Sequence, residues 1–363
     1  MQYVDLVGQY KEIEDEIREA MQGVLDSARY IMGPELKALE GEIADYLDVG
    51  YGVGCASGTD ALQVALMAYD IGPGDEVITT PFTFVATVEV IALLGAEPVY
   101  VDIEPEGYTI DPAAIEDAIT DKTKAIIPVH LYGQTARMEE IMEIAERHNL
   151  KVIEDAAQAI GARRNGTAAG TFGDIGCISF FPSKNLGAFG DGGMMVTGNA
   201  ELADHLRMIT KHGSKKKYNH EVLGVNSRLD ALQAAILRVK LRHLDRWNEG
   251  RAAVAKRYSE GITASEVTRP TKLEGNTHIF NQYSIRVPER DDFQNYLSER
   301  DIPTAIHYPI PLHRQPAFQH VGRNMGVPVS EKVSEEIISL PMYPGMPESD
   351  QDLVIETINT YFS

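Results

Sequence analysis

From about residue 50 onward, short apolar runs alternate with stretches of helical periodicity, the pattern of βα units stacked into a largely parallel sheet. A helix is predicted at about 59–70, opened by Gly58-Thr59 and closed before Gly72-Pro73-Gly74. A strand at 76–79, a helix at 83–94 stopped by Gly95, and a strand at 98–102 follow. Asp111-Pro112 announces a helix at 112–120, because aspartate caps well and proline is preset for the first helical position. Strand 124–130, helix 137–148 and strand 151–154 continue the alternation. Ligands of such sheets sit beyond the carboxyl ends of the strands, which singles out His130 and Asp155.

After residue 175 the apolar pieces IGCISFF and GGMMVTG are split by glycines, predicting strands that flank a functional loop over 182–192. A run from Ser227 to about Glu260 keeps helical spacing and is long enough to link one body to another. The expected organisation is a large domain over 1–248 and a smaller α/β domain over 249–363.

Composition removes several function classes. With 54 acidic against 33 basic residues the formal charge is −21, which repels a phosphate backbone, so no nucleic-acid partner is expected. No apolar run approaches the roughly 18 residues of a membrane span, and the start lacks the basic and apolar regions of a signal peptide. Two cysteines, Cys55 and Cys177, are too few for a disulfide framework and suit a reducing cytoplasm. Ten histidines never fall three or four apart, HExxH is missing, and no metal site is expected. GxGxxG before a helix, GxxxxGK[ST] and GxSxG are also missing, so dinucleotide, P-loop and serine-hydrolase readings drop away.

Three smaller signals remain. Cys55-Ala56-Ser57-Gly58-Thr59-Asp60 lies between a strand and a helix, where free N–H groups can hold a phosphate; a plain helix cap is the alternative. Asp155 closes an apolar strand, placed either for water or to pair with a protonated heterocyclic nitrogen such as that of pyridoxal phosphate. Lys184 lies between the apolar ISFFP and the glycine-rich GAFGDGG, a setting that desolvates an amine and keeps part of it neutral for attack on a carbonyl.

In this order and spacing, SGTDAL, TPFTFVAT, PVHLYGQ, IEDAAQAIGA, SFFPSKNLGAFGDGG, NSRLDALQAAIL and IHYPIPLH resemble the DegT/DnrJ/EryC1/StrS family of nucleotide-sugar aminotransferases. The resemblance runs from about residue 3 to the end of the chain. It implies the aspartate-aminotransferase-like fold type I of pyridoxal-phosphate enzymes: α/β, a large domain with a mostly parallel sheet flanked by helices, and a smaller C-terminal α/β domain. It further implies that Lys184 forms the internal aldimine and shuttles the proton, that Asp155 pairs with the pyridinium nitrogen, and that Gln158 touches the ring or its 3-hydroxyl. Phe84 matches the stacking aromatic, and Gly58, Thr59 and Ser179 match the phosphate holders. Asn226 matches a residue that reaches the phosphate from a neighbouring subunit, so a homodimer with shared active sites is implied. Ser227-Arg228-Leu229-Asp230 also reads as a capping box for the helix that follows.

The basic cluster from Lys211 to Tyr218, with Lys215 at its centre, is either a solvated loop or a diphosphate clamp, and Arg228 and His307 are candidates for a substrate carboxylate or phosphate. His307-Tyr308 is placed by the resemblance near the sugar. PVHLYGQ and KYNHEVLGVNSRLD look like the 3-amino-forming branch, closest to enzymes that aminate UDP-2-acetamido-2-deoxy-3-keto-glucuronic acid for surface polysaccharide or O-antigen. The alternatives are a dTDP-3-keto-6-deoxyhexose or 4-keto-sugar aminotransferase, a sugar dehydratase, or a non-catalytic regulator. The amino donor is expected to be L-glutamate, with pyridoxamine phosphate as the intermediate cofactor form.

Overall fold

A computed structural model describes residues 1–363. Helices α1 (Leu6–Glu12), α2 (Glu14–Ser27) and α3 (Pro34–Leu47) come first and carry no strand between them. Then β1 (Tyr51–Cys55), α4 (Gly58–Ala68), β2 (Glu76–Thr79), α5 (Ala86–Leu93), β3 (Glu97–Tyr100), α6 (Pro112–Glu116), β4 (Thr123–Ile126), α7 (Met138–His148) and β5 (Lys151–Asp155) follow in strict alternation. β6 (Ile175–Ser179) and β7 (Gly193–Thr197) flank the loop that holds Lys184, and α8 (Ala200–Ile209), α9 (Ala231–Leu241) and α10 (Leu244–Gly261) lead into the C-terminal part. That part holds β8 (Tyr283–Arg286), α11 (Arg290–Ser298), β9 (Arg323–Asn324), α12 (Pro328–Glu336), β10 (Ile337–Leu340) and α13 (Glu348–Tyr361).

The main sheet has eight strands in the order β1-β7-β6-β5-β4-β2-β3-β9. Only β7 runs against the rest, pairing antiparallel with both β1 and β6. Helices cover both faces, so β2, β6 and β7 are buried along their whole length and read as nearly continuous apolar runs. One apolar cluster, including Val64, Val90 and Ile153, lies under α4, α5 and α8; another, including Ile43, Phe180 and Leu237, lies under α3 and α9. A separate cluster including Tyr258, Ile285 and Val354 fills the C-terminal part around the β8–β10 pair. The two parts interlock: β9 adds a parallel strand to β3, and the Met342 N–H donates to the Tyr3 carbonyl at 3.1 Å.

Several predicted elements are shorter than their patterns. Strand 124–130 ends at Ile126 because Pro128 has no N–H for the ladder, although Asp155 N still reaches the Pro128 carbonyl at 2.9 Å. Helix 112–120 stops at Glu116, where Ala118 and Ile119 bond only three residues back. Helix 83–94 begins at Ala86, which leaves Phe84 on a loop, half exposed. The run 227–260 is two helices broken at Arg242-His243. Ser227 does not cap the first of them: its hydroxyl donates to Asp60 Oδ2 at 2.6 Å and accepts from Ala56 N at 3.0 Å, and Asp230 occupies the cap position.

Candidate active site

The carboxyl ends of β5 and β6, the start of α4 and the loop between β6 and β7 enclose a cavity of about 490 Å³. Its lining brings together Gly58, Thr59, Phe84, Asp155, Gln158, Ser179, Lys184, His307 and Tyr308, gathered from five separate stretches of chain.

One end of the cavity is built for an anion. Ser57 caps α4 by accepting from Asp60 N at 3.0 Å, while the N–H groups of Gly58 and Thr59 precede the first helical hydrogen bond. A Cβ on Gly58 would come within 2.7 Å of Ser179 Cβ, so glycine alone lets the helix start close on the end of β6.

Asp155, nearly buried, closes β5. Its Oδ2 accepts from Thr87 Oγ1 at 2.7 Å and its Oδ1 from Ala157 N at 3.1 Å, and Thr83 Oγ1 lies 3.0 Å behind Thr87. The carboxylate is thereby held in one orientation with its charge facing the cavity. The nearby Lys184 amine has no hydrogen-bond partner in the chain; burial pushes it down to about 8, opposed in part by the Asp155 charge. Gln158 accepts from Tyr132 N at 2.8 Å and donates to Tyr308 Oη at 3.1 Å, so it fixes the wall that Tyr308 forms. Burial, together with the Lys184 charge, holds His307 down to about 4, so its ring is uncharged near neutrality.

One expectation is corrected by position. His130 lies beyond the end of β4 and is wholly buried, with Nε2 2.7 Å from Glu154 Oε2 and Nδ1 accepting from Ala136 N at 3.2 Å. Glu154 also accepts from the N–H groups of Gly170, Phe172 and Gly173, and the pair secures a loop rather than a ligand. Lys215, Tyr218, Asn226 and Arg228 do not line the cavity of their own chain, which for Asn226 agrees with an expected reach into the neighbouring subunit. Lys215 and Tyr218 sit on an exposed hairpin formed by Ser214–Lys216 and Asn219–His220. Ser183 and Gln282 also line the cavity, and Thr87 and Tyr132 hold Asp155 and Gln158 by hydrogen bonds; none of the four was anticipated.

A cavity with a helix-start anion cradle, a fixed carboxylate and an unpartnered amine fits a phosphorylated heterocycle bearing a carbonyl, and relatives of known type share the whole chain. The profile of the DegT/DnrJ/EryC1/StrS aminotransferases matches residues 11–359. A Geobacillus stearothermophilus protein named a pleiotropic regulatory protein is 52% identical over 99% of this chain and 98% of its own length. The UDP-N-acetyl-3-dehydro-alpha-D-glucosamine 3-aminotransferase of Acidithiobacillus ferrooxidans is 50% identical over 95% of this chain and 93% of its own. The UDP-2-acetamido-2-deoxy-3-oxo-D-glucuronate aminotransferase of Pseudomonas aeruginosa is 46% identical, covering 95% of each chain. DesV of S. venezuelae, solved in complex with a ketimine intermediate, superimposes with a TM-score of 0.97 at 41% identity, covering 100% of this chain and 98% of its own. Fold, cavity and matched length agree, and the chain belongs to the DegT/DnrJ/EryC1/StrS aminotransferase family.

Proposed function

We propose that this chain is a pyridoxal-phosphate-dependent aminotransferase that moves the amino group of L-glutamate to a nucleotide-linked 3-keto sugar, leaving 2-oxoglutarate and the 3-amino sugar. The substrate read first is UDP-2-acetamido-2-deoxy-3-keto-glucuronic acid; the acetamido 3-keto-glucose named for the 50% relative differs at C6 and is the nearest neighbour of that reading. The observation that carries the proposal is Lys184, a desolvated amine left without a partner in the same cavity as Asp155. A purely regulatory protein has no use for such an amine, despite the name of the 52% relative.

The residues divide the work by position. Gly58, Thr59 and Ser179 hold the phosphate, and Phe84 covers a face of the ring. Asp155, oriented by Thr87 and Ala157, keeps the ring nitrogen protonated. Bound there, pyridoxal phosphate supplies the electron sink and carries the amino group between the two substrates. Lys184 Nζ removes the proton from glutamate Cα and, in the second half-reaction, delivers one to C3 of the sugar. Lys215 and Tyr218, on the exposed hairpin, and Asn226 and Arg228, on either side of Ser227, are assigned to the site of a second copy, because none of the four lines the cavity of its own chain. The division of the chain at 248/249 and residence in the cytoplasm complete the reading.

Reverse reactions with 2-oxoglutarate test the substrate. A panel of UDP- and dTDP-linked 3-amino and 4-amino sugars, read by mass spectrometry, is expected to show deamination of the UDP-3-amino sugars first. Deamination of 4-amino sugars alone overturns the assignment to C3.

A further inference from the structure

Beside the reaction cavity lies a much smaller chamber of about 50 Å³, walled in part by Val4, Ser183, Asn281, Gln282 and His307. Ser183, Gln282 and His307 line the reaction cavity as well, so the two spaces share a wall, and Lys184 follows Ser183 in the chain. His307 is tied to the same region through its Nδ1, 3.0 Å from Ser339 Oγ on β10. Two amides in the wall end without a partner: Asn281 Oδ1 and Gln282 Oε1 are both buried and meet no donor within the chain.

The direction of the Asn281 amide is fixed by a chain of three asparagines. Asn185, next to Lys184, donates from Nδ2 to the Ile279 carbonyl at 3.2 Å and to Asn248 Oδ1 at 2.6 Å. A backbone carbonyl can only accept, so that atom is the amide nitrogen and Asn185 Oδ1 lies on the other side. There it accepts from Asn281 Nδ2 at 2.8 Å, which leaves Asn281 Oδ1 as the free end. Asn248 Nδ2, on the Ile160 carbonyl at 3.4 Å, orders the far end in the same sense. All three asparagines are buried, so reversing one amide would set oxygen against oxygen or nitrogen against nitrogen. A buried acceptor left unmet costs free energy, and the chain therefore holds out an acceptor for a small donor.

Size and charge narrow the class of that donor. The chamber admits water, which needs roughly 10–15 Å³ of room. The Arg251 guanidinium is buried against the carbonyls of Asn281 and Met342 at 3.4 and 3.5 Å, which opposes a cation, and the amide oxygens oppose an anion. Neutral water satisfies Asn281 Oδ1 as a donor and pairs with Gln282 whichever end of that amide faces inward. Resting on the aminotransferase reading above, we propose that the chamber binds the water which amino transfer consumes. After Lys184 has taken the glutamate Cα proton and the electron pair has passed to the cofactor, the carbon–nitrogen bond is double. The water oxygen then forms the new carbonyl at Cα, both bonds from that carbon to nitrogen break, and the two water protons end on the nitrogen. In the second half-reaction the oxygen on C3 of the sugar takes two protons from nitrogen and leaves as water, so the same site gives up one water and regains one in each cycle.

The test begins with a high-resolution crystal structure of the holoenzyme, in which a density peak is expected within hydrogen-bond reach of Asn281 Oδ1; a chamber without that peak overturns the proposal. Rapid mixing with glutamate then separates two events: the first spectral change of the bound cofactor, which needs no water, and the appearance of 2-oxoglutarate in quenched samples, which does. Asn281→Leu removes the acceptor. Val4→Phe fills the chamber from a wall outside both the asparagine chain and the reaction cavity, and serves if the first variant fails to fold. Each is expected to lose the peak and to slow the appearance of 2-oxoglutarate about 10-fold, the effect of one lost hydrogen bond to the reacting molecule, with the first spectral change kept. A folded variant that loses the peak and keeps the rate of release overturns the assigned role, as does an equal slowing of both events. If glutamate leaves the parent cofactor unchanged while the peak is present, the aminotransferase reading falls and the water site stands.

Discussion

Two lysines share one loop. Lys184 rises from the segment between β6 and β7, and Lys240, buried on α9, reaches the same segment and donates to the Gly187 carbonyl at 2.5 Å. Burial pushes both amines down to about 8, so the perturbation alone does not tell them apart. What differs is company. Lys240 has its carbonyl and the faces of Phe189 and Trp247 at 5.4 and 5.9 Å, whereas Lys184 has a cavity and no hydrogen bond. A depressed lysine therefore marks chemistry only where its nitrogen is left unpaired, and otherwise marks a buried strut.

The comparison breaks if the strut proves as indispensable as the amine. The largest effect is expected from Lys184→Ala, which should slow amino transfer from glutamate by at least about 10³-fold in single turnover, within the range of acid-base catalysis. Retention of a tenth of the parent rate would refute the assignment. Lys240→Met should leave the Gly187 carbonyl without a donor, a loss of about 1–3 kcal/mol that the removal of a buried charge partly offsets. A melting point lower by a few degrees is expected, with the single-turnover rate reduced less than about tenfold; a loss equal to that of Lys184→Ala would show that loop position, not the amine, decides. The smallest effect concerns pH. A protonated amine does not attack a carbonyl, and the Lys184 pKa is lowered, so recombination of apoenzyme with pyridoxal phosphate should quicken as pH rises and level off above about 8. Lys240→Met should keep that profile, and a rate still climbing toward 10.5, the ordinary lysine value, would mean that Lys184 is not desolvated.

The same distinction explains what the sequence disclosed. Strand 76–79 and the helix near 138–148 were legible because each carries a local period bounded by its own stop signals. Lys184 and Asp155 were legible because their chemistry is prepared by immediate neighbours: apolar flanks, a glycine-rich turn, a strand end. Thr87 was not, because its partner lies 68 residues away, and no local pattern reports that a hydroxyl four residues after Thr83 meets Asp155. His130 shows the opposite failure. It satisfies the strand-end rule as well as Asp155 does, yet Glu154 points to the other side of β5 and takes the histidine with it. Helices α1 to α3 went unread, since they precede the alternation that organises the rest.

The bond between Met342 and Tyr3 ties together segments almost the full described length of the chain apart, and both adjoin His307: Tyr3 lies 6.4 Å from its ring, and Met342 follows closely on Ser339. Contacts of such long range are among the last to form as a chain collapses, and local opening needs only part of the free energy of global unfolding. Warming should therefore dismantle the His307 end of the cavity while the eight-stranded sheet still stands. The useful lifetime of the catalyst is then set by that seam, and heat inactivation will run ahead of calorimetric melting.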